Sequence, residues 1–269
     1  MRIITLMTDF GLKDGNVGVM KGVIYTIAEE KKVEFTLQIV DISHLISPQN
    51  ISEAALILYR SAPFFPGGTV HLVVVDPGVG TERRAIAGQI GNQCFVGPDN
   101  GILTLWLEHA ERSGVSTRFV HLNRPEFWLP EVSHVFHGRD IFAPVAAHLA
   151  TGTSLTMLGS PVSNLVKFSY PKPKKRGRIW YGEVIHIDHF GNISLNILKE
   201  DLEGGAIVTV SIVGVVINGV VQTFGDHPAG QVIALFGSTG NLLVSIVNGN
   251  AANQLKAKIG DTVEVSLED

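Results

Sequence analysis

Residues 73–84 read VVVDPGVGTERR, and this stretch decides the fold. Three consecutive valines predict a buried strand, because β-branched side chains suit a pleated interior covered on both faces. The strand stops at Asp76. Pro77 cannot donate to a ladder, and Gly78 and Gly80 open backbone angles closed to other residues. A carboxylate therefore stands at the carboxyl end of a buried strand, ahead of a tight loop carrying Thr81, Glu82, Arg83 and Arg84. In open α/β sheets, ligands bind beyond the carboxyl ends of the strands. The stretch reads either as an active-site loop built on Asp76 and a downstream arginine, or as an ordinary capped turn from strand to helix.

Working toward the N-terminus, residues 3–7 predict another buried strand, ended by Thr8-Asp9-Phe10-Gly11. Val17, Met20, Val23, Ile24 and Ile27 then recur at helical spacing. Asp9 and Asp14 lie between strand and helix. Asp14 reads as a cap of that helix. Asp9 reads either as a cap or as an acceptor for vicinal hydroxyls, the role an acid at such a position plays toward a ribose. Residues 35–40 predict a strand ending in Asp41. Ser47-Pro48 reads as an N-cap followed by proline at the first helical position, ahead of the stripe Ile51, Ala55, Leu58. Beyond residue 84, Phe95-Val96 is a short strand closed by Gly97-Pro98-Asp99-Asn100-Gly101, and residues 103–107 predict a helix. Repeated strand–loop–helix order predicts a central, mainly parallel sheet covered by helices.

His134-Val135-Phe136-His137-Gly138-Arg139-Asp140 precedes a helix over residues 141–150, with Pro144 tolerated in its first turn. The three-residue spacing of His134, His137 and Asp140 suits a metal site. Gly138 disfavours a continuous helix there, no matching ligand cluster stands out elsewhere, and Asp140 reads more simply as a cap. No metal is expected. Residues 171–177, PKPKKRG, read as a linker. After it the pattern changes to β-rich runs at 181–187, 206–210, 215–217, 220–224, 232–235, 242–246 and 262–267. Asn218-Gly219 is placed as a type I′ hairpin turn would be. The expected fold is an α/β domain over residues 1–165, a linker over 166–177, and a smaller all-β, barrel-like domain over 178–269.

Composition bounds the partners. The 269 residues are 45% hydrophobic and 17% charged, as in a globular chain. A net charge of −4 leaves no footprint for a polyanion, so no nucleic acid is expected. The single cysteine, Cys94, sits in an apolar run and reads as a core residue. One cysteine excludes a disulfide framework and suits a reducing cytoplasm. The N-terminus reads as a first strand, not a signal peptide. The longest apolar runs are strand-length and broken by glycine, so no membrane span is expected.

TDFGLKDGNVGVMKG, DPGVGTER, PDNG, FHGRDIFAPVAAHLA and IDHFGN follow one another in this order. Together, over essentially the whole chain, they resemble the S-adenosylmethionine hydrolase (adenosine-forming) family, related to fluorinase and chlorinase. The resemblance implies hydrolysis of S-adenosylmethionine, a small-molecule substrate, to adenosine and methionine, without a metal or an organic cofactor. It also implies a homotrimer, with the ligand between one subunit's N-terminal domain and its neighbour's C-terminal domain. Residue by residue it implies Asp9 on the ribose hydroxyls and Asp14 near the methionine ammonium. Asp76, Arg83 and His137 would handle the water. Asp188 and Ser238 would lie around the amino-acid end, and Phe190, Asn192, Asn250 and Ala251 on the adenine side. The loop between Ser238 and Asn250 differs in length from the halogenases, and Thr239 stands where a fluorinase has an arginine. A fluorinase also has tyrosine at the positions of Asp76 and His137, a halide-binding serine at Gly138, and an extra N-terminal loop. This chain has none of these.

The chemistry is set by the nucleophile. A sulfonium leaves without a proton, whereas water must be held in line and polarised or deprotonated. Asp76 beside Arg83 is a good anchor for water. His137, with an ordinary pKa of about 6.5, is better suited to take a proton. A unit charge about 4 Å away stabilises a hydroxide by roughly 4 kcal/mol at an effective dielectric of 20. The expectation is a shared role, with Arg83 as electrostatic stabiliser and His137 and Asp76 orienting or deprotonating the water. The alternatives are a 5′-halogenating or other nucleophilic transferase on the same substrate, and a non-catalytic nucleoside or S-adenosylmethionine binder. A dinucleotide oxidoreductase is weaker, since Arg83 stands where the third glycine of that fingerprint belongs.

Overall fold

The computed structural model of the protein describes residues 1–32, 34–202 and 206–268. Its contacts divide the chain into two units, Met1–Phe168 and Ser169–Asp269. The first opens with β1 (Arg2–Thr8), α1 (Asn16–Glu30), β2 (Leu37–Ser43), α2 (Ile51–Ser61) and β3 (Val70–Val74). It continues with β4 (Ala85–Ile90), β5 (Gln93–Pro98), α3 (Thr104–Arg112), β6 (Thr117–Leu122), α4 (Ala143–Ala150) and β7 (Gly159–Val162). The sheet order is β2-β1-β3-β5-β4-β6-β7.

The valine run forms a strand covered on both faces. Val70, Leu72 and Val74 pack with Met20 and Ile24 of α1 and Val145 of α4, whereas Val73 and Val75 pack with Leu58 of α2 and Trp106 and Leu107 of α3. The period-2 alternation of a single strand therefore feeds two cores. β1, β2, β3, β5 and β6 run one way, while β4 and β7 oppose them. Thr8 pairs with Val74, so the carboxyl ends of β1 and β3 lie side by side. The chain leaves β1 toward β2 on one side and β3 toward β4, beyond β5, on the other. This is the topological switch point where open α/β sheets hold ligands.

Several local expectations change. The loop after β3 leads into the antiparallel strand β4, not a helix. β2 runs past Asp41 to Ser43. α1 begins after Gly15 with no side-chain cap, so Asp14 does not cap it. α2 begins after Asn50, whose side chain accepts from the Glu53 N–H at 3.0 Å. Glu53 reaches back to the Ser47 N–H, and Gln49, at φ 64°, separates Ser47-Pro48 from the helix. The Asn-x-x-Glu spacing is a capping-box signal that outranks Ser-Pro. Cys94 is half-buried against the core, and burial raises its thiol pKa.

His71 in β3 is fully buried, with Nδ1 2.8 Å from Thr5 Oγ1 and its ring edge-on to Phe65 and Trp106. Burial pushes its pKa down to about 4, against an opposing interaction with the Gln93 side chain. The unfolded chain, with an ordinary imidazole, binds more protons between these two values. Stability is therefore complete above about pH 6.5 and falls as the pH drops toward 4. At pH 4.5 the loss is on the order of 2–3 kcal/mol relative to neutral pH. Urea unfolding at pH 7 and 4.5 should show this extra acid sensitivity in the native chain and not in His71→Gln. Equal acid losses in the two proteins would contradict it.

The second unit is a single antiparallel sheet. Its strands are β8 (Lys174–Arg176), β9 (Ile179–Ile187), β10 (Ile193–Leu198), β11 (Ile207–Ile212), β12 (Val215–Asn218), β13 (Val232–Phe236), β14 (Asn241–Ile246) and β15 (Thr262–Leu267). A short helix, α5 (Ala251–Leu255), precedes β15. The order is β12-β11-β15-β9-β10-β14-β13, with β8 on β9. β12 and β13 lie against each other, so the sheet nearly closes into the expected barrel. Part of the stretch read as a linker is the strand β8. The hairpin turn is Val213-Gly214, with φ of 42° and 78°, not Asn218-Gly219. Asn218 lies in β12 opposite Thr209, and residues 220–224 form no strand, only a bridge from Val221 to Leu235.

Candidate active site

Asp76 follows β3 directly, and the loop after it folds Arg83 back over its carboxylate. Arg83 Nε lies 2.9 Å from Asp76 Oδ1 and 3.0 Å from Oδ2, and Nη2 donates to Oδ2 as well. The two side chains are only 10% (Arg83) and 5% (Asp76) exposed. The guanidinium carbon sits 5.1 Å from the centre of the Phe142 ring, a cation–π contact. Nη2 also lies 2.9 Å from His137 Nδ1.

Two glycines permit this convergence. Gly80 has φ +76°, and a Cβ there would stand 2.3 Å from the His134 carbonyl oxygen. The 76–84 loop and the segment carrying His137 thus touch backbone to backbone. A Cβ on Gly138 would meet Met20 Sδ and Val74 Cγ1 at 3.3 Å each. Gly138 opens a wide π-helical turn, Gly138–Phe142, that leads into α4 and supplies Phe142. Arg84 turns the other way, with Nε 2.8 Å from Asp99 Oδ2, and Asn100 Nδ2 donates to the Val75 carbonyl at 2.9 Å. The Pro98–Gly101 turn thereby braces the end of β3.

The proton positions follow from donor chemistry. An arginine has no acceptor, so Arg83 must donate to His137 Nδ1, and the ring hydrogen is then on Nε2. Burial, and next the Arg83 cation, lower the His137 pKa, outweighing Asp76 and Asp140. His137 is therefore held neutral with a donor N–H. Its one basic nitrogen is already occupied by a cation. This geometry disfavours His137 as the group that takes a proton from water.

Asp140 is not a helix cap. Its fully buried carboxylate accepts from the Ser133 N–H at 2.8 Å and from Arg139, closing the loop that carries His137. Among the described residues, no three His, Cys, Asp or Glu side chains gather to hold a metal.

Asp9 extends from the end of β1. Its Oδ2 accepts the Gln49 N–H at 2.8 Å, and Oδ1 has no hydrogen bond among the described residues. The adjacent Phe10 ring packs edge-on against Phe136, 5.8 Å between centres, tying the Asp9 loop to the His137 segment. Asp9, Asp76, Arg83 and His137 thus cluster at the carboxyl ends of β1 and β3. Asp14 stands exposed in the loop before α1.

In the second unit, Asp188 builds its own loop. Its Oδ1 accepts from the Phe190 and Asn192 N–H groups at 2.9 and 2.8 Å, and Oδ2 from Asn192 Nδ2 at 2.8 Å. Phe190 is left 73% exposed. The Gly191 carbonyl accepts the Ala252 N–H at 3.0 Å, and Asn250 caps α5. Asp188, Phe190, Asn192, Asn250 and Ala251 therefore form one patch. Ser238 does not join it. Its turn meets Lys199 at the far end of the β10–β14 ladder, five residue steps or about 17 Å along the strand.

Residue-type reasoning missed Gln49, which acts through its backbone N–H and has no side-chain signature. It also missed Phe142, which reads as core because it is core on one side and a cation platform on the other.

Residues 4–159 match the N-terminal domain family of S-adenosylmethionine hydroxide adenosyltransferases, and residues 182–264 the C-terminal one. A Salinispora tropica protein named (R)-S-adenosyl-L-methionine hydrolase is 38% identical, over 98% of this chain and 97% of its own length. One of the same name from Thermus thermophilus is also 38% identical, over 98% of this chain and all of its own. A fluorinase from an Actinoplanes species is 30% identical over 98% of this chain and 97% of its own. The crystal structure of an uncharacterized conserved protein from Thermotoga maritima is 37% identical, with a TM-score of 0.87, over 98% of this chain and 99% of that one.

Proposed function

The chain belongs to the S-adenosylmethionine hydroxide adenosyltransferase family, and from that premise we propose that it hydrolyses S-adenosyl-L-methionine to adenosine and L-methionine. The water oxygen bonds to the ribose C5′. The C5′–S bond breaks with its electron pair going to sulfur, which leaves as a neutral thioether. The water proton passes to the Asp76 carboxylate and from it to solvent, so the sulfonium charge is replaced by that released proton. The substrate carries its own activated leaving group, and the step calls for neither a metal nor an organic cofactor.

The observation that carries this reading is the Arg83 cation clamped between Asp76 and His137 Nδ1. Arg83 stabilises the charge of an incipient hydroxide. Asp76 holds Arg83 and anchors the water. His137 orients it through Nε2–H. Asp9 takes the ribose hydroxyls through its open oxygen, and Asp14 lies near the methionine ammonium. The patch of Asp188, Phe190, Asn192, Asn250 and Ala251 suits the adenine and amino-acid ends, with Ser238 as a more distant contact.

Incubation with S-adenosylmethionine in labelled water should place label in the adenosine 5′-hydroxyl. Unchanged substrate, or unlabelled adenosine, would sink the proposal. Chloride or fluoride should not be incorporated. Asp76 is an anion at the attacking position, and Gly138, crowded by Met20 and Val74, offers no hydroxyl. A 5′-halo nucleoside as the main product would assign the chain to the halogenases instead.

His137 makes the reaction pH-dependent in a defined direction. The neutral ring accepts from Arg83, and protonation would turn a second cation toward it. With the pKa lowered by burial and Arg83, kcat/KM should hold through pH 6.5 and fall only below it. In His137→Gln, whose amide oxygen can still accept from Arg83, that acid limb should vanish. A limb centred above pH 6.5 in the native protein would show a different group titrating.

The site is proposed to be shared within a homotrimer. Phe190 and Val135, 73% and 78% exposed, are apolar side chains on loops beside candidate site residues, as a surface covered by another copy would be. Sedimentation of a fully active monomer would refute this. Among the described residues no helix is long and apolar enough to cross a membrane. The lone cysteine favours a cytoplasmic setting.

A further inference from the structure

A chain of side chains outside the water site runs from the end of β1 to the surface. The Phe10 N–H donates to Thr8 Oγ1 at 3.2 Å, and Thr8 Oγ1 lies 2.9 Å from His44 Nδ1. His44 Nε2 lies 3.1 Å from Asp41 Oδ1, within ion-pair distance though bent from the hydrogen-bond line. Lys21 Nζ completes the run, 2.6 Å from Asp41 Oδ2. Thr8 and His44 are buried, at 0% and 4% exposure.

One proton arrangement suits every group. The Asp41 carboxylate only accepts, so His44 carries its hydrogen on Nε2. Nδ1 then accepts the Thr8 hydroxyl, whose oxygen is left to accept from Phe10. The order Thr-His-Asp is that of a nucleophilic triad, yet Thr8 Oγ1 is sealed from solvent and already holds a backbone N–H. Its action is on the backbone.

The same two loops are joined twice more. Gly11 N–H donates to the His44 carbonyl at 2.8 Å, and Gln49 N–H to Asp9 Oδ2 at 2.8 Å. Gln49 makes its bond from a left-handed backbone conformation, φ 64°, which a non-glycine residue adopts only when its surroundings impose it. The residue that grips Asp9 is thus a strained one, held by the loop that His44 fastens.

We propose that His44 is a positioning residue for Asp9. By bridging Thr8 to Asp41 it locks the 43–50 loop to the end of β1. Gln49 can then hold one carboxylate oxygen of Asp9 and leave the other for a vicinal diol. The identity of that diol as the ribose of S-adenosylmethionine rests on the function proposed above, whereas the coupling of His44 to Gln49 does not.

Two readouts on the full chain test this. In steady-state kinetics His44→Ala should raise KM about threefold to tenfold, the effect of losing one neutral hydrogen bond, with kcat within about twofold. His44→Asn, whose amide oxygen can take the place of Nδ1, should recover most of the change. In an Asp9→Ala background His44→Ala should raise KM no further, because its effect passes through Asp9. An equal increase in both backgrounds, or a loss confined to kcat, would overturn the assignment. Amide hydrogen exchange needs no substrate. Exchange at Gln49 should accelerate in His44→Ala and slow again in His44→Asn. Unchanged protection of Gln49 in His44→Ala would overturn the coupling even if turnover were lost. Absence of turnover in the native protein, with Gln49 exchange behaving as expected, would strike at the substrate and leave the positioning intact.

Discussion

Arg83→Ala should lower kcat by about 10²–10³-fold with little change in KM. At the reacting centre, the sulfonium, C5′ and the water, there is no negative charge in the ground state. Hydroxide character develops only as the attacking water gives up its proton, so a cation beside the oxygen stabilises the transition state selectively. A unit charge about 4 Å away in a medium of effective dielectric 20 contributes roughly 4 kcal/mol, which agrees with the upper end of that range. The clamp on both sides of the guanidinium, Asp76 at 2.9 Å and His137 at 2.9 Å, keeps it in place before reaction. Arg83→Lys should recover only part of the rate, because a single ammonium cannot bridge both Asp76 oxygens and His137 together. Removing Arg83 also leaves a buried carboxylate without its partner. The kinetic comparison therefore needs a thermal melt to establish that the variant is folded. A variant altered in KM alone would place Arg83 in ground-state binding and remove it from the chemical step.

Asp9→Ala should do the reverse, raising KM about 10- to 100-fold while kcat stays within a few-fold. Hydrogen bonds to a charged group contribute about 1.5–3 kcal/mol each, and the ribose hydroxyls present the same donors before and during reaction. Uniform binding of this kind appears in KM. The open Oδ1 is the acceptor the variant loses, and Oδ2 is the one already spoken for by Gln49. Asp9→Asn should be milder, because its amide oxygen still accepts from one partner. Inhibition by adenosine should weaken in parallel with KM. If kcat fell instead and adenosine bound as before, Asp9 would belong to the chemical step.

The sequence by itself determined a good deal. The valine run, ended by Asp76 and two glycines, specified a strand covered on both faces with an acid at its carboxyl end. The same pattern at residues 3–9 specified its neighbour, and the short runs after residue 178 specified an all-β unit. These readings succeed because alternation, chain breakers and caps act within a few residues. Where two local signals competed, the tertiary partner chose between them. Asn218-Gly219 has the better turn residues, yet the hairpin turns at Val213-Gly214. β11 must stay in register with β15, Ile212 against Val263 and Val210 against Val265, and that ladder keeps Asn218 within β12.

Only the folded chain decided the rest. Arg83 meets His137 across 54 positions of sequence, and Asp9 meets Gln49 across 40. Ser238 and Asp188, which a shared role would join, are held at opposite ends of one ladder by the pairing of Leu198 with Asn241. The tautomer that makes His137 a donor exists because a guanidinium, which cannot accept, lies against its other nitrogen. Strand patterns are written in neighbouring side chains. Which loops meet, and which nitrogen of a ring is left free, depends on the register between strands far apart in the chain.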